Sequence, residues 1–474
     1  MFKLTAKLHE LQKKFLNDTA LVKQLVLLGG SPVNVIIPEI MDDNYESFSR
    51  VIKKHGINGR IYYAHKVNQS TSLVRRMEYI GGGIDVASVG ELIDALSSGF
   101  NGERILLNGP KNKEFLRLGI QQGCFIAVDN LDELQEIVSL SAEHKQSIKI
   151  LLRLALKTSE SEFTKDTRFG INEEDVFQAF QSIKVAGNIN LAGFSFHIDT
   201  TELNEKVKAF SILMKVVEKS FELGFHPEIV DIGGGFKVSY LESEKEWHEY
   251  TSAIRNGILD SKNQITWNNA AYGLKLLEGT LRGRENYYRY YEKVTGSDFL
   301  DSFLSAKLKE YGDITVSDLL KDFMLTLFIE PGRSLVYNAG MTIGKVIFKK
   351  RSLKGEVLVG LDMNKSHLSS TEDELFVDAI HISWSHSETT DEDNNGIYLI
   401  GNLCQEHDLI SKHKVFLKKV PSVGDLLVFP HTGAYHMDFN QTTAIKHPVP
   451  QKYVVSTRGK ENLLFTDSSY SPYN

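Results

Sequence analysis

Only two cysteines, Cys124 and Cys404, occur in 474 residues, and they stand far apart. So few thiols exclude a disulfide framework and a CxxC metal site, and they fit a reducing cytosol. Positive charge is in deficit: 54 Lys and Arg against 61 Asp and Glu leave a net charge of −7. A nucleic-acid partner would need a basic patch or stripe, and an anionic membrane surface would also need basic residues. Neither partner is expected. No apolar run approaches the ~18 residues of a spanning helix. The start, Met1 to Glu10, has no unbroken apolar core and continues polar through Lys14, so it does not read as a secretory signal. The expectation is a cytoplasmic protein. HExxH-type histidine pairs are missing and the 15 histidines are scattered, so no metal site is expected. A Walker loop is missing too, as are internal repeats and low-complexity tracts.

What the chain does contain is alternation. The first thirty residues read as helical, with Leu4, Leu8, Leu11 and Phe15 at helical spacing, until Gly29-Gly30-Ser31-Pro32. Val33 to Ile37 reads as a strand. Eight β-branched runs follow, at 60–67, 83–88, 104–108, 125–129, 148–155, 191–198, 229–232 and 325–329. Helix-sized spacers separate them, such as 90–97, 112–122, 131–142 and 206–223. Continuous apolar strands alternating with helices imply a parallel sheet, and eight such units imply a closed (β/α)8 TIM barrel. An open doubly wound sheet is the alternative, but its Gly-x-Gly-x-x-Gly turn is absent after the first strand.

The last interval, from Ile229 to Leu325, spans 96 residues and holds Trp247, Trp267 and the run Tyr287-Tyr288-Arg289-Tyr290-Tyr291. It reads as a helical excursion with its own small core, or else as a lid beside the site. After Gly340, strand-like runs at 341–348, 356–361, 376–382, 396–400 and 426–429 alternate with turns. The expected organisation is thus α/β throughout. Residues 1–34 form an N-terminal segment packing with the β domain. Residues 35–340 form the barrel, with an insertion at about 240–322, and 341–474 form a mainly antiparallel β domain. Ser387–Asn395 is expected to be an exposed loop.

Working residues of such a barrel sit at the carboxyl ends of its strands. Those ends read Lys66, Asp85 with Ser88, Asn108, Asp129, Arg153, His197, Gly233–Gly235 and Glu330. Three consecutive glycines bare backbone N–H groups for a phosphate, although a glycine triplet alone is equally a plain turn. Gly81-Gly82-Gly83, at the opposite barrel end, is read as such a turn. Glu330 closes an apolar strand, where a carboxylate needs a cation or a proton. Arg333, after Pro331-Gly332, offers a fork to phosphate or an ion pair to Glu330. Lys66 is either a rim cation or an amine that burial makes nucleophilic. Amine, carboxylate and phosphate cradle together suggest one cofactor, pyridoxal 5′-phosphate.

Seven pieces in order carry a resemblance. They are Tyr63-Ala-His-Lys66-Val-Asn68, Gly83-Ile-Asp85-Val-Ala-Ser88-Val-Gly90-Glu91, His197, Asp231-Ile-Gly-Gly-Gly-Phe236, Glu330-Pro-Gly-Arg333, Gly401-Asn-Leu-Cys404 and Gly433-Ala-Tyr435. The chain resembles the fold type III (alanine-racemase-like) pyridoxal-phosphate decarboxylases, the group of ornithine, arginine and diaminopimelate decarboxylases. The resemblance implies that Lys66 carries the cofactor as an aldimine and that His197 stacks on the pyridine face. It implies that Glu330 pairs with the ring nitrogen, and that Gly233, Gly234, Gly235, Thr200, Gly332, Arg333 and Tyr435 serve the phosphate. Asp85 and Arg153 would lie near the ring. Cys404, offered across the interface of a homodimer with shared sites, would protonate the carbon that loses carbon dioxide. Taken alone, His197 reads as a core histidine and Cys404 as a small buried hydrophobe; their place in the ordered set reverses both.

Two departures stand out. After His197 the family has x-Gly-Ser, whereas this chain has Ile198-Asp199-Thr200. Thr200 keeps a hydroxyl; Asp199 adds a carboxylate that repels a phosphate unless it turns away, meets a cation or holds a substrate amine. Asn402 stands where proline is common, and Gln405-Glu406-His407-Asp408 follows, in a strip the family places beside the substrate. The implied function is decarboxylation of an amino acid, a diamino acid or a larger amino-acid conjugate of specialised metabolism, through a quinonoid intermediate. The alternatives are a pyridoxal-phosphate racemase or epimerase and a non-catalytic regulatory homologue that binds the cofactor.

Overall fold

A computed structural model of the chain describes residues 2–143, 147–157, 167–198, 200, 202–260, 264–368, 374–384, 396–457, 459 and 461–473. Asp199 and the expected loop at 387–395 lie outside the described residues. Two compact units are formed, each from discontinuous chain: Met1–Ile40 with Val238–Lys293 and Val336–Tyr470, and Met41–Lys237 with Val294–Leu335 and Ser471–Asn474. Among the described residues no helix is long and apolar enough to cross a membrane.

The chain opens with two short helices, Glu10–Asn17 and Thr19–Gly29, rather than one long one. His9 starts the first, accepting from the Leu11 N–H at 3.2 Å while the Gln12 side chain accepts from the His9 N–H. Asp18 ends it and caps the second. The expected helical residue Leu4 precedes both. It lies outside any helix, with its N–H donating to Asp378 at 2.8 Å and its side chain buried in the core of the unit. A tertiary contact outweighs the local periodicity there.

Strand β1 (Val33–Ile36) belongs to the first unit, and eight further strands form the barrel. These are β2 (Gly59–Ala64), β3 (Gly83–Val86), β4 (Ile105–Leu107), β5 (Phe125–Val128), β6 (Ile148–Arg153), β7 (Ile189–Ser195), β8 (Ile229–Asp231) and β9 (Thr326–Ile329). They close in that order, all parallel, with β9 pairing β2. The helices between them carry matching signals: Ser88, Asn112 and Asn130 each accept an N–H three residues on, as N-caps do. Four of the eight strands, β2, β3, β6 and β7, stop two to three residues short of their apolar-run ends.

The first unit is a sheet of eight strands. Around β10 (Gly340–Arg351), a twelve-residue strand, lie β11 (Val357–Leu361), β12 (Ile380–Ile382), β13 (Ile397–Ile400), β14 (Leu426–Pro430), β15 (Gln451–Ser456) and β16 (Leu463–Thr466). The main path runs β12–β14–β10–β1–β15–β16, with β11 on the far half of β10 and β13 beside β11. Only β1–β15 and β11–β13 are parallel. The expected insertion at about 240–322 is divided. Val238–Lys293 joins the sheet unit and the stretch from Val294 joins the barrel. Trp247, Tyr250 and Tyr290 are buried with Phe376, so the aromatic run builds a core instead of a separate flap.

Candidate active site

The site follows from period-two geometry. Alternate strand residues face the same side, so a residue two positions beyond an inward one also points inward, one layer higher. Tyr62, Leu106, Phe125, Ala127, Leu151, Ile229 and Phe328 pack as one apolar cluster inside the barrel. Two residues beyond five of these come Asn108, Asp129, Arg153, Asp231 and Glu330. The apolar floor thus imposes a polar layer above it, at the carboxyl ends of β4, β5, β6, β8 and β9. Tyr62 also explains Gly83: a Cβ there would meet the Tyr62 ring at 2.6 Å. Gly83 is therefore a packing requirement and not merely part of a turn.

Three carboxyls crowd this layer, all buried: Asp85, Asp231 and Glu330. Asn108 donates to Glu330 Oε1 at 2.7 Å, and Gly233 N–H donates to Asp231 Oδ1 at 2.8 Å. Burial, reinforced by the neighbouring Asp231, raises the Glu330 pKa to about 8. Burial and the charge of Glu330 raise Asp85 to about 7 against the pull of Lys66. Asp231 rises less, to about 6, because Gly233 and Glu330 donate to it. At neutral pH this cluster therefore holds a proton on Glu330, bonded towards Asp231. Asp85 Oδ1 is buried with no hydrogen-bond partner.

Lys66 stands on a single helical turn after β2, with its Nζ 3.8 Å from Asp85 Oδ2. Its side chain is 47% exposed, so burial is not what prepares this amine, contrary to expectation. The turn itself is anchored. His65 is buried, with Nε2 2.9 Å from Asp94, and Tyr63 donates to the Asn68 carbonyl at 2.7 Å. Glu91 accepts from the Ala87 N–H, tying down the loop after β3. These contacts give structural roles to motif residues that carry no chemistry.

The glycine loop differs from its expected form. Gly234 N–H donates to His197 Nδ1 at 3.0 Å and Gly233 N–H is spent on Asp231. Among the described residues only the Gly235 N–H of the three has no acceptor. The glycines are required by close approach: a Cβ on Gly233 (φ +63°) would lie 2.4 Å from His197 Nδ1, and one on Gly234 2.8 Å from the Glu330 carbonyl. His197 opens to the mouth of the barrel. Dehydration by the surrounding walls and the charges of Lys66, Lys206 and Arg153 hold its pKa well below the ordinary imidazole value. It is thus a neutral ring whose Nδ1 accepts, which fixes the proton on Nε2.

Thr200 donates its hydroxyl proton to Glu205 and accepts from the Glu202 N–H at 3.1 Å. The donor expected for a phosphate is committed to the entry of the helix Leu203–Glu222. Arg153 lies 3.6 Å from Asp129 and 4.6 Å from the centre of the Phe169 ring. Gly332 and Arg333 begin a four-residue helix just beyond Glu330. Cys404 and Tyr435 belong to the sheet unit. Cys404 is exposed, and Tyr435 adopts φ +67° in the turns after β14. Asp408, expected beside the substrate, is buried and accepts the N–H groups of Lys365 and Leu403, both at 2.8 Å, so it shapes the turn that presents Cys404. Sequence reading missed Asp231 and Lys206. The inward period two from Ile229 marks the first, and a lone charged residue at the head of an otherwise uncharged buried face marks the second.

The residues fit the proposed group. A half-open amine meets an aldehyde; a cluster with a spare proton meets a basic ring nitrogen; a glycine loop beside a buried ammonium meets an anionic tail. Fold and site together define a pyridoxal-phosphate-binding barrel. Residues 42–266 match the family model of the pyridoxal-dependent decarboxylases, pyridoxal-binding domain. An uncharacterized protein of Sinorhizobium fredii is 27% identical over 92% of this chain and 90% of its own length. The diaminopimelate decarboxylase of Archaeoglobus fulgidus is 25% identical, covering 87% and 85%. Among solved structures, diaminopimelate decarboxylase from Methanocaldococcus jannaschii aligns with TM-score 0.68 at 23% identity over 94% of this chain and 90% of that one. Lysine/ornithine decarboxylase from Vibrio vulnificus aligns with TM-score 0.64 at 20% identity over 92% and 98%. These last two likenesses establish the fold. The family model, which spans just under half of the chain, and the ordered motifs make the chain similar to the fold type III pyridoxal-phosphate-dependent decarboxylases.

Proposed function

We propose that this protein removes carbon dioxide from an amino acid, with Lys66 as the amine that binds the cofactor aldehyde. When bound, pyridoxal phosphate supplies an electron sink for the pair left at Cα. The observation that carries the reading is the buried Glu330, held by Asn108 at the end of β9: burial and the neighbouring Asp231 push its carboxyl up, so it can keep the ring nitrogen protonated, which makes the sink strong. His197, neutral and fixed by Gly234, backs the ring without adding charge. Asp85 keeps the Lys66 ammonium in place before the aldehyde arrives. Cys404 supplies the proton that replaces carbon dioxide, across the interface of a homodimer in which each site takes residues from both subunits. The relatives named diaminopimelate decarboxylase support a diamino acid, or a larger amino-acid conjugate, as substrate class.

Incubation of the loaded enzyme with diamino acids of both configurations, following carbon dioxide release beside optical rotation, tests this. Carbon dioxide release abolished by Lys66→Ala is expected. Loss of rotation without carbon dioxide would make the protein a racemase. Neither change, with cofactor bound, would make it a regulatory homologue.

A further inference from the structure

Lys206 is the one fully buried lysine beside the glycine loop. It sits in the first turn of the helix Leu203–Glu222, 1% exposed, and its Nζ donates to the Gly234 carbonyl. The same Nζ lies 3.6 Å from where a Gly235 Cβ would stand and 5.0 Å from the centre of the Phe236 ring. Among the described residues no carboxylate lies within ion-pair distance of it. A buried ammonium without a counter-charge is costly, and burial lowers its pKa to about 8, against a pull from Asp231 and Glu330. Meanwhile the loop it touches has spent two of its three glycine N–H groups, and Thr200 has spent its hydroxyl proton. The cradle is short of donors where a buried cation is short of an anion.

We propose that Lys206, held against Gly234 and Gly235, is the cation that balances the phosphate of the cofactor. The inference rests on the cofactor assignment above and adds a residue to it. The competing role on the same geometry has Lys206 offset the charge of Asp231 and Glu330 at the ring end. The two roles separate experimentally, because pyridoxal shares the ring and aldehyde of pyridoxal phosphate and lacks only the phosphate.

The test measures affinity of the cofactor-free, full-length protein for both compounds by the absorbance of the bound form. Lys206→Met keeps the volume and removes the charge. A charge-assisted contact is worth about a ten- to hundredfold change in affinity. Lys206→Met should weaken pyridoxal phosphate by that factor and leave pyridoxal unchanged. Equal weakening of both, or of neither, overturns the proposal. Should the variant fail to fold, the unaltered protein still decides. A phosphate is fully ionised above pH 7, so above about pH 8 its binding must be accompanied by proton uptake on Lys206. The affinity ratio of pyridoxal phosphate to pyridoxal should then fall by up to tenfold per pH unit, and linkage common to the Lys66 amine cancels in the ratio. A ratio flat from pH 7 to 9.5 overturns the assignment. If the unaltered protein bound neither compound, the cofactor assignment itself would fail.

Discussion

Replacing Glu330 by Gln should change how the stability of the cofactor-free protein depends on pH. Glu330 has a folded pKa of about 8 against an ordinary 4.5. Its folded value lies above its unfolded one, so between these limits the folded state holds a proton the unfolded state has released. Stability must therefore fall as pH rises through that window, by about 1.4 kcal/mol per pH unit for one proton. Below about 4.5 both states are protonated and the effect vanishes; above about 8 the full cost, up to roughly 5 kcal/mol, is present. Gln retains the size and can donate to Asp231, but it does not titrate. Urea unfolding of both proteins at pH 5.5, 6.5 and 7.5 reads the difference directly. The stability advantage of the unaltered protein over Glu330→Gln should shrink by about 3 kcal/mol from the lowest to the highest pH. A constant difference would show that Glu330 is ionised in the folded state across this range, and the argument for a proton-holding cluster would be refuted.

Lys111 donates to Glu133 at 2.8 Å and to the carbonyls of Gly109 and Ala127 with no exposed surface of its own. Lys111→Met should cost about 3–5 kcal/mol in urea unfolding, and adding Glu133→Leu should recover much of it; full additivity of the two losses would contradict the pairing. Gly233→Ala combines φ +63° with a Cβ 2.4 Å from His197 Nδ1, so it should displace His197 and lower cofactor affinity at least tenfold in a titration. Unchanged affinity would show that the loop tolerates the shift. Asp408→Asn keeps the shape and weakens two N–H contacts, by about 1–3 kcal/mol in total. It should lower turnover through Cys404 while leaving cofactor affinity intact, and loss of cofactor would contradict a role confined to that turn.

The barrel was legible because each of its strands is a short apolar run between helix-sized spacers with ordinary caps, a pattern that admits few topologies. The ends of those runs also exposed most of the polar layer, since Asn108, Asp129, Arg153 and Glu330 terminate them. Other features depend on contacts between distant segments, which leave no local trace. Leu4 reads as helical until Asp378 takes its N–H. The aromatic run 287–291 reads as part of an excursion with its own small core, or as a lid, until Phe376 and Trp247 draw it into the core of the sheet unit. β15 and β16 lie beyond the last motif, and nothing local announced the pairing of β15 with β1 or of β16 with β15. Lys206 looked like the polar start of a helix, and only the fold brings it under the glycine loop. The preparation of Lys66 was misjudged for a related reason, because exposure at a barrel mouth depends on neighbouring loops and not on the strand that carries the lysine.

Attachment of the cofactor turns on one amine, that of Lys66. Borohydride reduction of the cofactor-loaded protein, followed by peptide mapping with mass spectrometry, fixes the cofactor to whichever lysine holds it. A pyridoxyl group on Lys66 alone is the expected result. A label on Lys206, or on no lysine at all, would contradict it.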